Sequence, residues 1–247
     1  MIPIKSENDL KMLKDSGRIL AMALEKVQEL IQPGLTTAEI DRLAEELVVR
    51  EGAQCAFKGY KGFPASVCTS INEEIVHGIP GNRRLKEGDI ISLDLGVNFK
   101  GYFSDAAVTL PVGRVSPYLR KLIEVTRGAL FKGIKQARID NNLSDISHTI
   151  QLHVEKNGYS VVRQFVGHGI GFQLHEEPEI PNFGRPHQGP RLKKGMVFAI
   201  EPMVNMGTWE SEVLENGWTA VSKDKSPSAH FEHTVAITER GPQILTN

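Results

Sequence analysis

The ten residues Leu85-Lys86-Glu87-Gly88-Asp89-Ile90-Ile91-Ser92-Leu93-Asp94 return, altered but in register, as Leu192-Lys193-Lys194-Gly195-Met196-Val197-Phe198-Ala199-Ile200-Glu201. Leu, Lys and Gly recur at matching places, Ile90 meets Val197, Leu93 meets Ile200, and both copies end on an acid. The segments before them correspond too, AEIDRLAEELVVREG with SDISHTIQLHVEKNG. Such a chain is expected to fold as two related α+β units about a pseudo-twofold axis. The halves, about 1–112 and 113–247, would share a single domain.

Apolar spacing supports that plan. Residues 7–31 carry a helical pattern that stops at Pro33-Gly34, and a second helix over 38–51 is expected to be capped by Thr37 and closed by Gly52. Helices are also expected at 117–136 and at 144–157, the latter capped by Ser144. Strands are expected through LKEGDIISLDLG, through YFSDAAVTL after a turn at 98–101, and around 159–166, 196–205, 217–221 and 229–238.

The acids at the strand ends are the anomaly. An unpaired carboxylate buried in an apolar strand costs several kcal/mol or takes up a proton. With a turn at 98–101, Asp94 is expected directly opposite Asp105, a repulsive pair unless one acid is protonated or a cation lies between them. The second half supplies Glu201 and, within HFEHTVAIT, Glu232; FSDAAV and HFEHTV each place an acid three residues before a valine. Any one of these acids could cap a turn or pair with a lysine or arginine. Four, matched in pairs by the repeat, are expected to converge on roughly two divalent ions, for which hard oxygen ligands are suited.

Among eight histidines, His148 and His153 lie on a polar helix and are expected to be solvated, and His187 sits in a Pro/Gly-rich loop. His233 should face away from its neighbour Glu232 by strand alternation. His77 (VHGIP), His168 (GHGIG) and His175 (LHEEP) stand apart, because HGI occurs once per half and the flanking glycines permit close backbone approach.

Composition closes other routes. At 247 residues with 40% hydrophobic and 24% charged residues and a net charge of −1, the chain has a globular balance and no basic surface for a stable nucleic-acid partner. No segment has the length of a membrane span, the N-terminus MIPIKSENDLKMLK has no signal core, and two cysteines are too few for a disulfide framework, so a cytoplasmic setting is expected.

Taken in order, INEEIVHGIP, LDLGVNFKGYFSDAA, FVGHGIG, LHEEPEIPNFG, GMVFAIEPM and FEHTVAIT resemble the type I methionine aminopeptidases from about residue 5 to 245. The resemblance implies the pita-bread fold, a curved antiparallel sheet of pseudo-twofold symmetry with helices on its outer face. It implies metal ligation by Asp94, Asp105, His168, Glu201 and Glu232, with Asp105 and Glu232 bridging two ions of Fe(II), Mn(II), Co(II) or Zn(II). It implies that a water between the ions attacks the first peptide bond, that Glu201 shuttles the proton, that His175 hydrogen-bonds the scissile carbonyl and that His77 places the leaving amide. Tyr60, Phe63, Cys68 and Trp218, with Phe57 and Leu174, would line the methionine pocket. The substrates implied are nascent polypeptide N-termini as they leave the ribosome, cut when the second residue is small, by a monomer of the short bacterial type.

Three positions depart from the pattern: Ala106 stands where many relatives have threonine, Leu174 where an aromatic is common, and Phe57 where cysteine is expected. The loss of a threonine at 106 is expected to remove a hydrogen bond that supports Asp105. Proline-specific peptidases share the fold and ligand set but usually carry a sizeable N-terminal domain, for which the first ligand at residue 94 leaves little space. A binding module that has lost catalysis would have no reason to keep four buried acids. A phosphatase or nuclease would be expected to show a phosphate-cradling glycine loop or a basic cluster near the ligands.

Overall fold

A computed structural model describes residues 1–247. Four helices, α1 (Glu7–Gln28), α2 (Thr37–Arg50), α3 (Pro117–Ile134) and α4 (Leu143–Lys156), lie close to their expected positions. Two caps fall earlier than expected. Thr36, not Thr37, accepts the Glu39 N–H, because the Thr37 hydroxyl is engaged with the Gly81 backbone. Asn142, not Ser144, precedes α4; its N–H donates to Asp145, while the Ser144 hydroxyl accepts from Gln188 N.

Nine strands form the main sheet: β1 (Gln54–Cys55), β2 (Cys68–Ile71), β3 (Ile90–Phe99), β4 (Tyr102–Pro111), β5 (Gly167–Gly169), β6 (Glu176–Ile180), β7 (Val197–Ile200), β8 (Glu232–Thr238) and β9 (Gly241–Ile244). All pairings are antiparallel, in the order β1-β3-β4-β8-β7-β5-β6, with β2 also on β3 and β9 on β8. The repeat copies β3 and β7 therefore flank a central β4–β8 pair, as a pseudo-twofold requires. This is the expected α+β pita-bread arrangement.

Alternation along the strands separates the two faces. Ile91, Leu93, Leu95 and Val97 of β3 pack under Ile19, Leu20, Ile40 and Ala44 of α1 and α2. Phe198 and Ile200 of β7 and Val235 and Ile237 of β8 pack under Leu122, Leu130, Ile146 and Ile150 of α3 and α4. Each half thus buries one sheet face under its own helix pair, and the intervening residues, Asp94 and Glu232 among them, are turned to the other face. Glu201 follows Val197 and Ala199 in the same phase.

The β3–β4 register corrects one expectation. Lys100 (φ 53°) and Gly101 (φ 85°) alone make the turn, the positive-φ pair that a two-residue hairpin needs. Phe99 then pairs with Tyr102, so Asp94 lies opposite Ala107 and Asp105 opposite Gly96. The two acids share a face but are offset diagonally. In the second half the expected long strands are interrupted. Segment 196–205 divides at Glu201-Pro202 into β7 and Met203–Asn205, and segment 229–238 divides at Phe231 into Ser228–His230 and β8. No helix is long and apolar enough to cross a membrane.

Candidate metal centre and active site

The site can be assembled from register alone. One row across the sheet runs Cys68, Asp94, Ala107, Glu232. The next runs Gly96, Asp105, Thr234, Ala199, His168; here the Thr234 hydroxyl accepts from Asp105 N and donates to Asp105 O, both at 2.8 Å. Residues in register share a face, so Asp94 and Glu232 in one row meet Asp105 and His168 in the next. Glu201, just past β7, completes the group: its Oε1 lies 3.5 Å from His168 Nε2.

Donor atoms of Asp105, His168 and Glu232 lie within 4.8 Å of one another, as do those of Glu201, His230 and Glu232. Asp94 Oδ1, Asp105 Oδ1 and Glu232 Oε1 are buried without a hydrogen-bond partner. Buried carboxylate oxygens left unsatisfied in this number call for a cation or for protons. His168 donates from Nδ1–H to the Gly169 carbonyl at 2.9 Å, which leaves Nε2 directed at the acids. The donor set, four carboxylates with imidazole, fits divalent ions of the first transition row.

Without a cation the acids hold protons. Burial raises Asp94 to about 7, opposed by His230 and reinforced by Glu201. Burial also raises Glu201 to about 7, opposed by His168. Asp105 and Glu232 are pushed well above the carboxylate range by burial first and by the other acids second.

Above this floor is a cavity of about 180 Å³ lined by Phe57, Tyr60, Lys61, Phe63, Cys68, His77, Leu174, His175 and Trp218 together with the acids and His168. All thirteen residues singled out in the sequence line this one cavity; Lys61 is the additional one. Its volume is small beside the roughly 300–1,000 Å³ of a pocket for a drug-sized ligand and suits one side chain. Phe63 and Trp218 meet edge to face at 5.1 Å. Cys68 stands opposite Asp94 in the register, and burial, then the Asp94 charge, keeps its thiol neutral.

His77 and His175 occupy the rim. His77 has a left-handed backbone (φ 59°), uncommon outside glycine, and its ring stands edge-on to Phe165 at 5.6 Å. Burial, then His230, lowers it to about 4. His175 stacks on Tyr60 at 5.2 Å, with Nδ1 3.0 Å from the Tyr60 hydroxyl, and its ring lies 4.2 Å from that of His168. Burial, then His168, pushes His175 below the usual range although its outer edge is open to solvent. The next residue, Glu176, forms a buried ion pair with Lys5 and accepts from Phe172 N and Gln173 N, which anchors the His175 loop. The glycines beside the histidines are needed for contact: a Cβ at Gly78, Gly167 or Gly169 would overlap the carbonyl of Thr69, Ala199 or Glu177.

Elsewhere the expectations need correction. Ala106 points to the helix layer with Ile19 and Leu93, so its methyl faces away from the acids, and Asp105 is held by Thr234 instead. His148 and His153 are half-buried rather than solvated, and His148 Nδ1 contacts Gly184 O at 3.1 Å. His233 does face away from Glu232, with Nδ1 2.9 Å from the Thr246 hydroxyl. Sequence reasoning passed over His230, which the fold brings to the centre. The signal was its spacing of two from Glu232, which on a strand places both on one face.

Comparison with known proteins agrees with this geometry. Residues 11–239 match the model of metallopeptidase family M24. The chain is 53% identical to the methionine aminopeptidase of Clostridium perfringens over 100% of this chain and 99% of that one. It superposes on a methionine aminopeptidase from Thermotoga maritima with a TM-score of 0.99 and 46% identity, each chain fully covered. A prolidase from Pyrococcus furiosus gives a TM-score of 0.79 at 25% identity, and only 65% of that chain is covered. The chain belongs to metallopeptidase family M24 and, within it, to the bacterial type I methionine aminopeptidases.

Proposed function

We propose that this enzyme removes the initiator methionine from nascent polypeptides and peptides, using two divalent ions held by Asp94, Asp105, His168, Glu201 and Glu232. The observation that carries the reading is the meeting of buried carboxylates with unsatisfied oxygens at the floor of a small, aromatic-lined cavity. Asp105 and Glu232, from the two central strands, would hold the ions together with Asp94, His168 and Glu201. Fe(II), Mn(II), Co(II) and Zn(II) all suit such mixed oxygen and nitrogen donors. Bound there, the ions supply Lewis-acid polarisation of the scissile carbonyl and a water acidic enough to attack it at neutral pH.

The protein's own groups do the rest. Glu201, beside the proposed ions and facing the cavity, would accept the water's proton and pass it to the departing amide nitrogen. Neutral His175, turned by the Tyr60 hydroxyl, donates its other ring N–H to the carbonyl oxygen as negative charge develops there. His77, on the opposite rim beside Trp218, contacts the peptide next to the leaving amide. Phe57, Tyr60, Phe63, Cys68, Leu174 and Trp218 receive the methionine side chain, for which aromatic edges and a neutral thiol are good neighbours. The acidic floor attracts a free α-amine, which restricts cutting to the first residue. The reading suits a reducing, cytoplasmic setting, in which Cys55 and Cys68 stay as free thiols.

The test is to strip the protein with chelator, restore Mn(II), Co(II) or anaerobic Fe(II), and follow peptides by mass. Met-Ala-Ser and Met-Gly peptides should lose one methionine only when metal is present; Met-Lys and Met-Leu peptides should remain intact. Metal-independent cleavage, or equal cleavage of Met-Lys, would overturn the reading.

A further inference from the structure

His230 is the one buried side chain at the centre that the mechanism above does not use. It is 1% exposed, and neither Nδ1 nor Nε2 has a hydrogen-bond partner. Its backbone is fixed from β4: the Thr109 hydroxyl accepts from His230 N and donates to His230 O, both at 2.8 Å, and is itself 2.8 Å from Ser92 Oγ. This places His230 one row beyond Glu232 on the same face. From there Nε2 lies 3.6 Å from Glu201 Oε2 and 3.9 Å from Glu232 Oε2. These separations are long for hydrogen bonds. They suit two ligands of one ion, since donors each about 2.1 Å from a metal lie roughly 3–4 Å apart. His168 repeats the relation on the other side, with Nε2 3.5 Å from Glu201 Oε1. Glu201 thus has one imidazole at each oxygen.

We propose that His230 is a sixth protein ligand of the dinuclear centre, giving it a second imidazole nitrogen on the side of Glu201 and Glu232. The proposal rests on the metal-dependent reading above. Neither ring nitrogen has another partner, so Nε2 is free to bind while Nδ1 carries the ring proton. A second imidazole also biases the centre toward Fe(II), Co(II) or Zn(II) over Mn(II), which prefers oxygen.

Proton NMR of the Co(II)-loaded enzyme tests this without reference to turnover. Each imidazole on Co(II) shifts its remaining ring N–H far downfield, and that signal is absent from samples prepared in D2O. Two such signals are expected in the wild type, one removed by His230→Gln and the other by His168→Gln. Calorimetry should show Co(II) binding to His230→Gln weakened by about 10- to 100-fold. A wild-type spectrum with one exchangeable shifted signal, lost in His168→Gln, would overturn the proposal and leave the metal centre standing. Failure of the wild type to take up Co(II) would overturn both. The count is made on the wild type, so it does not depend on how well either variant folds.

Discussion

The first half presents its acids from an unbroken hairpin, whereas the second presents them from strands that stop beside them. Asp94 and Asp105 sit mid-strand on β3 and β4, two ten-residue strands joined by a two-residue turn. Glu201 follows the last residue of β7, and Glu232 opens β8 after the break at Phe231. The side chains match the backbones. Short aspartates suffice where the strand itself runs under the site, and longer glutamates reach in from strand ends. His168 has a first-half counterpart in His77 through the repeated HGI, whereas His230, on the short strand before the break at Phe231, has none. The repeat therefore supplies a symmetric set of acids, and the departure from symmetry adds the imidazole of His230, the nitrogen donor proposed above.

The largest test of that difference compares one acid from each half. On the proposed roles Glu201→Ala removes a ligand and a shuttle, so turnover should fall by about 10³-fold or more. Asp94→Ala would remove a proposed ligand alone. Raising the metal concentration in a rate assay should restore part of the Asp94→Ala activity and none of the Glu201→Ala activity. Equal rescue of both would erase the distinction.

Next in size is the anchor of the His175 loop. Lys5→Met leaves Glu176 without its buried partner and should cost about 3 kcal/mol, or roughly 6–12 °C in Tm for a chain of this size. Because the same loop aims His175, kcat should fall more than KM changes. A variant that loses stability but keeps full kcat would separate the ion pair from His175.

Glycine substitutions compare the two backbones directly. Gly169→Ala forces a Cβ against the Glu177 carbonyl beside His168 and should cost about 2–3 kcal/mol and weaken metal binding. Gly101→Ala, in the open hairpin turn at φ 85°, should cost only about 1–2 kcal/mol and leave metal affinity unchanged. Thermal melts with and without added metal would distinguish them.

The smallest effect is a pH slope in chelator-treated protein. Acids whose folded proton affinity is raised bind more protons folded than unfolded, so they lose stability as pH rises from about 4 through about 7. The depressed histidines act oppositely, losing stability as pH falls from about 6.5 toward 4. Below pH 6.5 the two groups offset each other. Above it only the acids act, so Tm of the stripped protein should decline between pH 6.5 and 8. Metal should abolish the decline by holding the acids ionised.

Much of this was readable from the sequence because the repeat and strand alternation are both periodic signals. Matching Asp94 to Glu201 and Asp105 to Glu232 found the four acids, and HGI with its glycines found His77 and His168. The register of the hairpin was not readable to the residue, since it turns on Lys100 adopting positive φ, for which lysine gives no cue. The strand break at Glu201-Pro202 hid within an apolar run that resembles a continuous strand. His230 was missed because interest fell on its neighbour Glu232, although a spacing of two was legible. Lys61 follows Tyr60 in a short 3-10 turn with positive φ, and only the fold shows that it lines the cavity.

The central claim is that acids from both halves form one divalent-ion site whose protons leave when metal enters. Its most direct test is calorimetric titration of the stripped enzyme with Mn(II) at pH 6.5 in two buffers of different ionisation enthalpy. The account predicts two ions bound and at least one proton released per chain, with both reduced in Asp105→Asn and in Glu232→Gln. Binding that releases no proton, or that survives both substitutions unchanged, would contradict it.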